Sequence, residues 1–171
     1  VAGIKLIDKT DGVTIPYIIN RLLHPEIHQW LFDDYCGLVE IAIIFFDVRT
    51  IVYGIFSQGN PEPIGVIWFT GVIPYRDCTL NIALFKQDDR DQGIITEPRG
   101  DKPSIAEMIK NDMVVRFHIH SVSANCIEGN EISKYCLEKF GFKKIGVKEK
   151  CIFADGVYKD IELYYLLLEE A

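Results

Sequence analysis

Apolar and polar positions follow two rhythms along this chain, and the change from one to the other divides it. Ile4-Lys5-Leu6-Ile7 reads as a short strand, with Asp11-Gly12 as the turn signal after it. Ile15, Ile18, Ile19, Leu22 and Leu23 then fall at spacings of three and four, which predicts an amphipathic helix. Pro25 can open a second helix with Ile27, Trp30 and Leu31 on one stripe. Leu38 to Val48 is apolar nearly throughout, so its periodicity fits a buried helix or a strand; the reading adopted is helix. From Thr50 the texture turns β-branched and aromatic. Ile51 to Phe56, Ile64 to Phe69 and Leu80 to Phe85 are separated by Gly59-Asn60-Pro61 and Pro74-Tyr75-Arg76-Asp77, a three-strand meander. Gln87 to Pro103, broken by Gly93, Pro98, Gly100 and Pro103, reads as a loop. Ser104 to Asn111 follows as a helix, with Ser104 as N-cap and Glu107 at the reciprocal capping-box position. Met113 to Val122 reads as a strand, Ile132 to Phe140 as a helix stopped by Gly141, and the remainder as a hairpin turning at Asp155-Gly156.

The predicted order of elements is β, α, α, a β-meander, a β-loop-α-β crossover, then α and a β-hairpin, with no repeat or low-complexity tract. It implies an α/β (α+β) fold, a mixed and mostly antiparallel sheet of about seven strands flanked by helices. Leu80 to Phe85 and Met113 to Val122 are expected to lie parallel and splayed apart, because the crossover between them permits that pairing. At 171 residues one domain, 1–171, accounts for the chain.

Composition narrows the function classes. Apolar residues make up 49% and charged residues 25%, the balance of a folded protein rather than a disordered tail. The longest apolar runs, Ile41 to Phe46 and Tyr164 to Leu168, fall well short of the roughly 20 residues that span a bilayer. With Lys5, Asp8 and Lys9 near the start and no secretory pattern, the expectation is a cytoplasmic protein. The five cysteines are odd in number and include no C-x-x-C pair, which argues against zinc and against a disulfide framework. A formal charge of −7 disfavours nucleic acid and suits a cationic partner.

Local motifs carry a resemblance. Asn130-Glu131-Ile132-Ser133 followed by Leu137-Glu138-Lys139-Phe140-Gly141-Phe142, and then Gly156-Val157-Tyr158-Lys159-Asp160, resemble N-x-x-S, L-E-K-x-G-F and G-x-Y-x-D. These are motifs of the GCN5-related N-acetyltransferase (GNAT) superfamily, in its RimJ/RimL-like branch that acetylates protein N-termini. Pro63-Ile64-Gly65-Val66-Ile67 is similar to that family's third strand, and Arg90-Asp91-Gln92-Gly93-Ile94-Ile95-Thr96-Glu97 to its pyrophosphate loop, R-x-x-G-x-A-T-E. Leu23-His24-Pro25-Glu26-Ile27 resembles the D-P-E-V near the branch's N-terminus.

The resemblance implies an acetyl-CoA-dependent N-acetyltransferase acting on a primary amine, either a protein N-terminus or a small amine, with acetyl-CoA as co-substrate and no metal. Arg90, Gln92, Gly93 and Ile95 would hold the pyrophosphate through successive backbone N–H groups. Asn130 opens the helix and by its type serves as the N-cap, while the resemblance adds a contact with the pantetheine arm; Ser133 would line the same groove or stand as a neutral surface serine. Two departures bear on this. Ile95 stands where the family has a small residue, and Pro98, Gly100 and Pro103 interrupt the long helix that the family runs on from the loop. For the chemistry, Leu137 occupies the position where many members carry a tyrosine acid, and Tyr135 is expected to point elsewhere on the helix. The fourth strand offers Asn81, which can only hydrogen-bond, and His120, on the fifth strand with His118, could relay a proton at neutral pH. The alternative is a non-catalytic subunit that keeps the scaffold in a larger assembly, such as a phage particle.

Overall fold

The helical spacing after Asp11-Gly12 is realised as α1 (Thr14–Leu22), whose inward residues Ile15, Ile18, Ile19 and Leu22 are buried. In this computed structural model, which describes residues 2–90 and 92–168, α1 follows β1 (Ala2–Leu6). The next helix, α2 (Pro25–His28), is a single turn, and Trp30 and Leu31 lie in the turns beyond it. The ambiguous apolar run forms α3 (Leu38–Phe46), with Ile41 and Phe45 buried against the sheet. The meander is β2 (Ile51–Ser57), β3 (Gly65–Thr70) and β4 (Asp77–Leu84).

A single turn, α4 (Gln87–Arg90), and a run of turns lead into α5 (Ile105–Val115). Ser104 caps α5, its hydroxyl accepting the Glu107 N–H at 3.2 Å. The strand expected from Met113 to Val122 does not form over that span. Met113 to Val115 belong to the helix, and the strand β5 runs from Ser121 to Ile127. The residues Met113-Val114-Val115 suit a strand by type, but Ile105, Ile109 and Met113 recur every four residues and all three are buried, so tertiary packing overrides local preference. His118, at a left-handed φ of 55°, belongs to the connection between α5 and β5.

After β5 come α6 (Glu131–Phe140), β6 (Lys143–Ala154) and β7 (Val157–Leu167). Gly141 ends α6 at φ 107°, a conformation that costs a side-chain-bearing residue energy.

The strands form one sheet in the order β1-β2-β3-β4-β5-β7-β6. Every neighbouring pair is antiparallel except β4 and β5. Strand alternation divides the core between the two faces. Val52, Val66 and Trp68 pack with α1 and α3 on one side, and Tyr53, Ile67 and Phe69 pack with α5 and α6 on the other. No helix is long and apolar enough to cross a membrane among the described residues.

Candidate functional site

The parallel pair is short. β4 and β5 are in register only from Asp77↔Ser121 to Leu80↔Ala124. Beyond that rung Asn81 to Leu84 continue with β3 alone, and Asn125 to Ile127 with β7 alone. The two strands therefore part, and a groove of about 600 Å³ opens between them. Asn81 and Asn125, the residues just past the last shared rung, both line it.

One wall is the loop after β4. Arg90 lines the groove, its Nε donating to the Leu84 carbonyl at 3.1 Å and its Nη1 to Gln87 Oε1 at 2.8 Å. These bonds orient a fork that carries five N–H donors. Gly93, at φ 62°, turns the chain so that Glu97 N–H bonds the Gly93 carbonyl at 2.9 Å. Gln92 to Thr96 form a run of turns beside Arg90, outside any strand or helix. A turn that brings backbone N–H groups next to an arginine is suited to an anion.

Ile95 does not crowd this curl, because its side chain is 4% exposed in the core beside Ile105 and Ala106, and its carbonyl accepts the Ala106 N–H. The long helix of the family is replaced by a detour pinned by Arg99, which donates to the Pro103 and Ala2 carbonyls. Gln92 is exposed and does not line the groove; Asp91 lies outside the described residues.

The facing wall is the start of α6. Asn130 caps the helix, its Oδ1 accepting the Ser133 N–H at 3.3 Å, and both residues line the groove. The Cys126 thiol beneath donates to the Asn130 carbonyl, and burial pushes its pKa up to about 11. Leu137, at the family's tyrosine position, is buried. Tyr135, in contrast to the sequence expectation, lines the groove and is 56% exposed. Cys136 lines it too, and burial pushes its pKa up to about 12.

The third side comes from Ile27, Trp30 and Leu31. The Lys159 ammonium from β7 sits 5.0 Å from the Trp30 ring centroid, an approach that favours a fixed ring orientation. Just beyond, Asp34 accepts the N–H groups of Asp155 and Gly156, each at 2.8 Å, and its own N–H donates to Phe153. One side chain thus fastens the loop after α2 to the tip of the β6–β7 hairpin.

His120 does not reach this groove. It is exposed just before β5, with its N–H on the Arg76 carbonyl, at the end of the sheet away from the splay. Asn125 lies five residues further on, roughly 16 Å away at about 3.3 Å per residue. His120 therefore cannot relay a proton in the groove, because it precedes β5 at the end of the sheet opposite the splay. His118 stacks on Tyr75 at 5.1 Å instead of sharing a strand face with it. Among the described residues no three His, Cys, Asp or Glu side chains gather as a metal site.

Asn125, Tyr135, Trp30 and Glu131 complete the groove without having been singled out as site residues. For Asn125 and Tyr135 the usable signal was their place relative to Asn130, five residues before it and five after.

No family model and no curated protein sequence matches the chain. Solved structures do. A ribosomal-protein alanine acetyltransferase from Vibrio fischeri superposes with a TM-score of 0.75 at 18% identity, over 98% of this chain and 93% of that one. RimL, a ribosomal-protein alpha-N-acetyltransferase solved with coenzyme A in a disulfide with one of its cysteines, gives 0.74 at 17% identity, over 99% and 96%. A spermidine N-acetyltransferase from Vibrio cholerae, solved with CoA and spermine, gives 0.73 at 16%, over 98% and 95%. The chain has the fold of the GCN5-related N-acetyltransferases.

Proposed function

We propose that the protein is an N-acetyltransferase that transfers the acetyl group of acetyl-CoA to a primary amine, a protein N-terminus or a small amine. The observation that carries this reading is the open groove between β4 and β5, with Arg90 and the turn from Gly93 to Thr96 on one wall and Asn130 on the other. The same observation weighs against a non-catalytic scaffold subunit. A relic has no reason to keep this groove open, with Ile95 tucked into the core and an arginine held at its rim.

In this reading the pyrophosphate lies on the Gly93–Thr96 curl and Arg90, and the pantetheine arm runs between Asn81 and Asn130. The acceptor amine enters from the side of Trp30 and Leu31. Much of the acceleration comes from holding amine and thioester together. Glu131, the one carboxylate lining the groove among the described residues, receives the acceptor's ammonium and takes up its proton.

The thiolate leaving group needs a proton. Cys136 holds its own too tightly for that task, at about 12 against about 8.5 for an ordinary thiol. The hydroxyls that line the groove belong to Thr96, Ser133 and Tyr135, and the phenol of Tyr135 is the strongest acid by type. The neighbours of similar fold act on ribosomal-protein N-termini and on spermidine, so both acceptor types belong in the assay.

The test is calorimetric binding of acetyl-CoA, followed by mass-spectrometric detection of acetyl transfer to an N-terminal peptide and to spermidine. Saturating acetyl-CoA should stabilise the native state, by about 2.7 kcal/mol at 100 times the dissociation constant. Absence of both binding and transfer would return the protein to the scaffold reading.

A further inference from the structure

We propose that α3 is a self-association seam through which two copies of this chain form a weak, two-fold symmetric dimer. The helix LVEIAIIFF carries one charge in nine residues, yet only Ile41 and Phe45 are fully buried. Phe45 packs on Trp68 with ring centroids 5.3 Å apart, which anchors the inner face. The outer face is also apolar. Val39 is 65% exposed, Ile43 65% and Phe46 52%, flanked by Leu38 and Val48. A helix that is apolar on both sides is ordinarily covered on both.

The chemistry and spacing of this face select a second copy as the occupant. Val39, Ile43 and Phe46 are separated by four and then three residues, the stripe by which one helix packs along another. A two-fold axis near Ile43 would set two such stripes antiparallel, with Ile43 against Ile43 and Val39 against the other copy's Phe46. An isologous contact of this kind is self-complementary and closes at two subunits.

The charges at the seam's ends agree with that pairing. Exposed Glu40, one carboxylate oxygen of which accepts the Gly37 N–H at 2.9 Å, lies towards one end and exposed Arg49 beyond the other, and Arg49 has no ion pair among the described residues. Antiparallel docking brings each Glu40 towards the other copy's Arg49. At about 100 Å² for each of five side chains, the pair would bury on the order of 1,000 Å², near the lower bound for a specific interface. With the net charge of −7 opposing association, the dimer is concentration-dependent rather than obligate.

Analytical ultracentrifugation from about 1 µM to about 300 µM tests this. The expected result is a weight-average mass rising from 19.5 kDa towards twice that value. Ile43→Lys should raise the dissociation constant at least about tenfold with unchanged far-UV circular dichroism, because the side chain points to solvent in the single chain. In a Cys151→Ser background, Ile43→Cys should cross-link to itself through a short bismaleimide. Val115→Cys, 60% exposed on α5, should not. A mass of one chain throughout, or a dimer that Ile43→Lys leaves intact, overturns the proposal.

Discussion

Replacing Asp34 with alanine removes both acceptors that hold the β6–β7 turn to the loop after α2. Each carboxylate oxygen takes one backbone N–H at 2.8 Å, from Asp155 and from Gly156. Hydrogen bonds to charged groups contribute about 1.5–3 kcal/mol when sheltered; Asp34 is exposed, so about 1–2 kcal/mol for the two together is the better figure. For a domain of this size that lowers the melting temperature by about 3–6 °C. Asp34→Asn retains one carbonyl acceptor and should lose about half as much.

The functional effect should be directional. Trp30 and Leu31 lie just upstream of the clamp and wall one side of the groove, whereas the Gly93 loop belongs to another element. Calorimetry and steady-state kinetics on Asp34→Ala should therefore show unchanged acetyl-CoA binding and an acceptor KM raised about threefold to tenfold, the range that 1–2 kcal/mol spans when part of it is felt at the site. A variant that melts within about 1 °C of the parent, or one whose acetyl-CoA affinity falls as far as its acceptor affinity, refutes the reasoning.

Three further outcomes follow from particular side chains. Asn130→Asp keeps a good N-cap for α6, so its melting temperature should stay near that of the parent while acetyl-CoA affinity falls about tenfold from the added negative charge in the groove, as read by calorimetry. The Lys144 ammonium, 2.9 Å from Glu162 and assisted by the Tyr164 hydroxyl, holds the Glu162 carboxyl below its usual 4.5 against a smaller opposing effect of burial. Because the folded value is the lower one, this stabilisation is present above the unfolded value and is lost as pH falls through the folded one. Melting curves from pH 6 to about 3 should be flatter for Glu162→Gln than for the parent. Ellman titration at about pH 8 should find Cys151 reacting fastest, since burial pushes Cys78 and Cys136 up to about 12 and Cys126 up to about 11, and partial burial with nearby Asp33 and Glu40 raises the half-buried Cys36 as well. Equal reactivity at Cys136 would mean that the groove floor opens in solution.

What the sequence by itself determined was whatever depends on neighbours along the chain. Asn130 and Gly141 bound α6 because a cap and a left-handed stop act within one turn. Asp155-Gly156 sets the hairpin because both adopt positive φ, at 53° and 76°. The meander and the parallel crossover follow from turn chemistry and connection length, and the family-like motifs on Arg90 to Glu97 and Asn130 to Phe142 named the two walls of the groove.

The tertiary structure decided where long-range packing chooses between locally equal options. Met113 to Val115 went to α5 because Met113 completes a buried stripe, which moved β5 forward and left His120 at the wrong end of the sheet. Ile95 turned inward because the core beside α5 has room for an apolar side chain that the loop would otherwise expose to water. Tyr135 and Asn125 joined the site only through the parting of β4 from β5 after Leu80↔Ala124. That parting depends on partners distant in sequence, β3 holding one strand and β7 the other, so no local pattern encodes it.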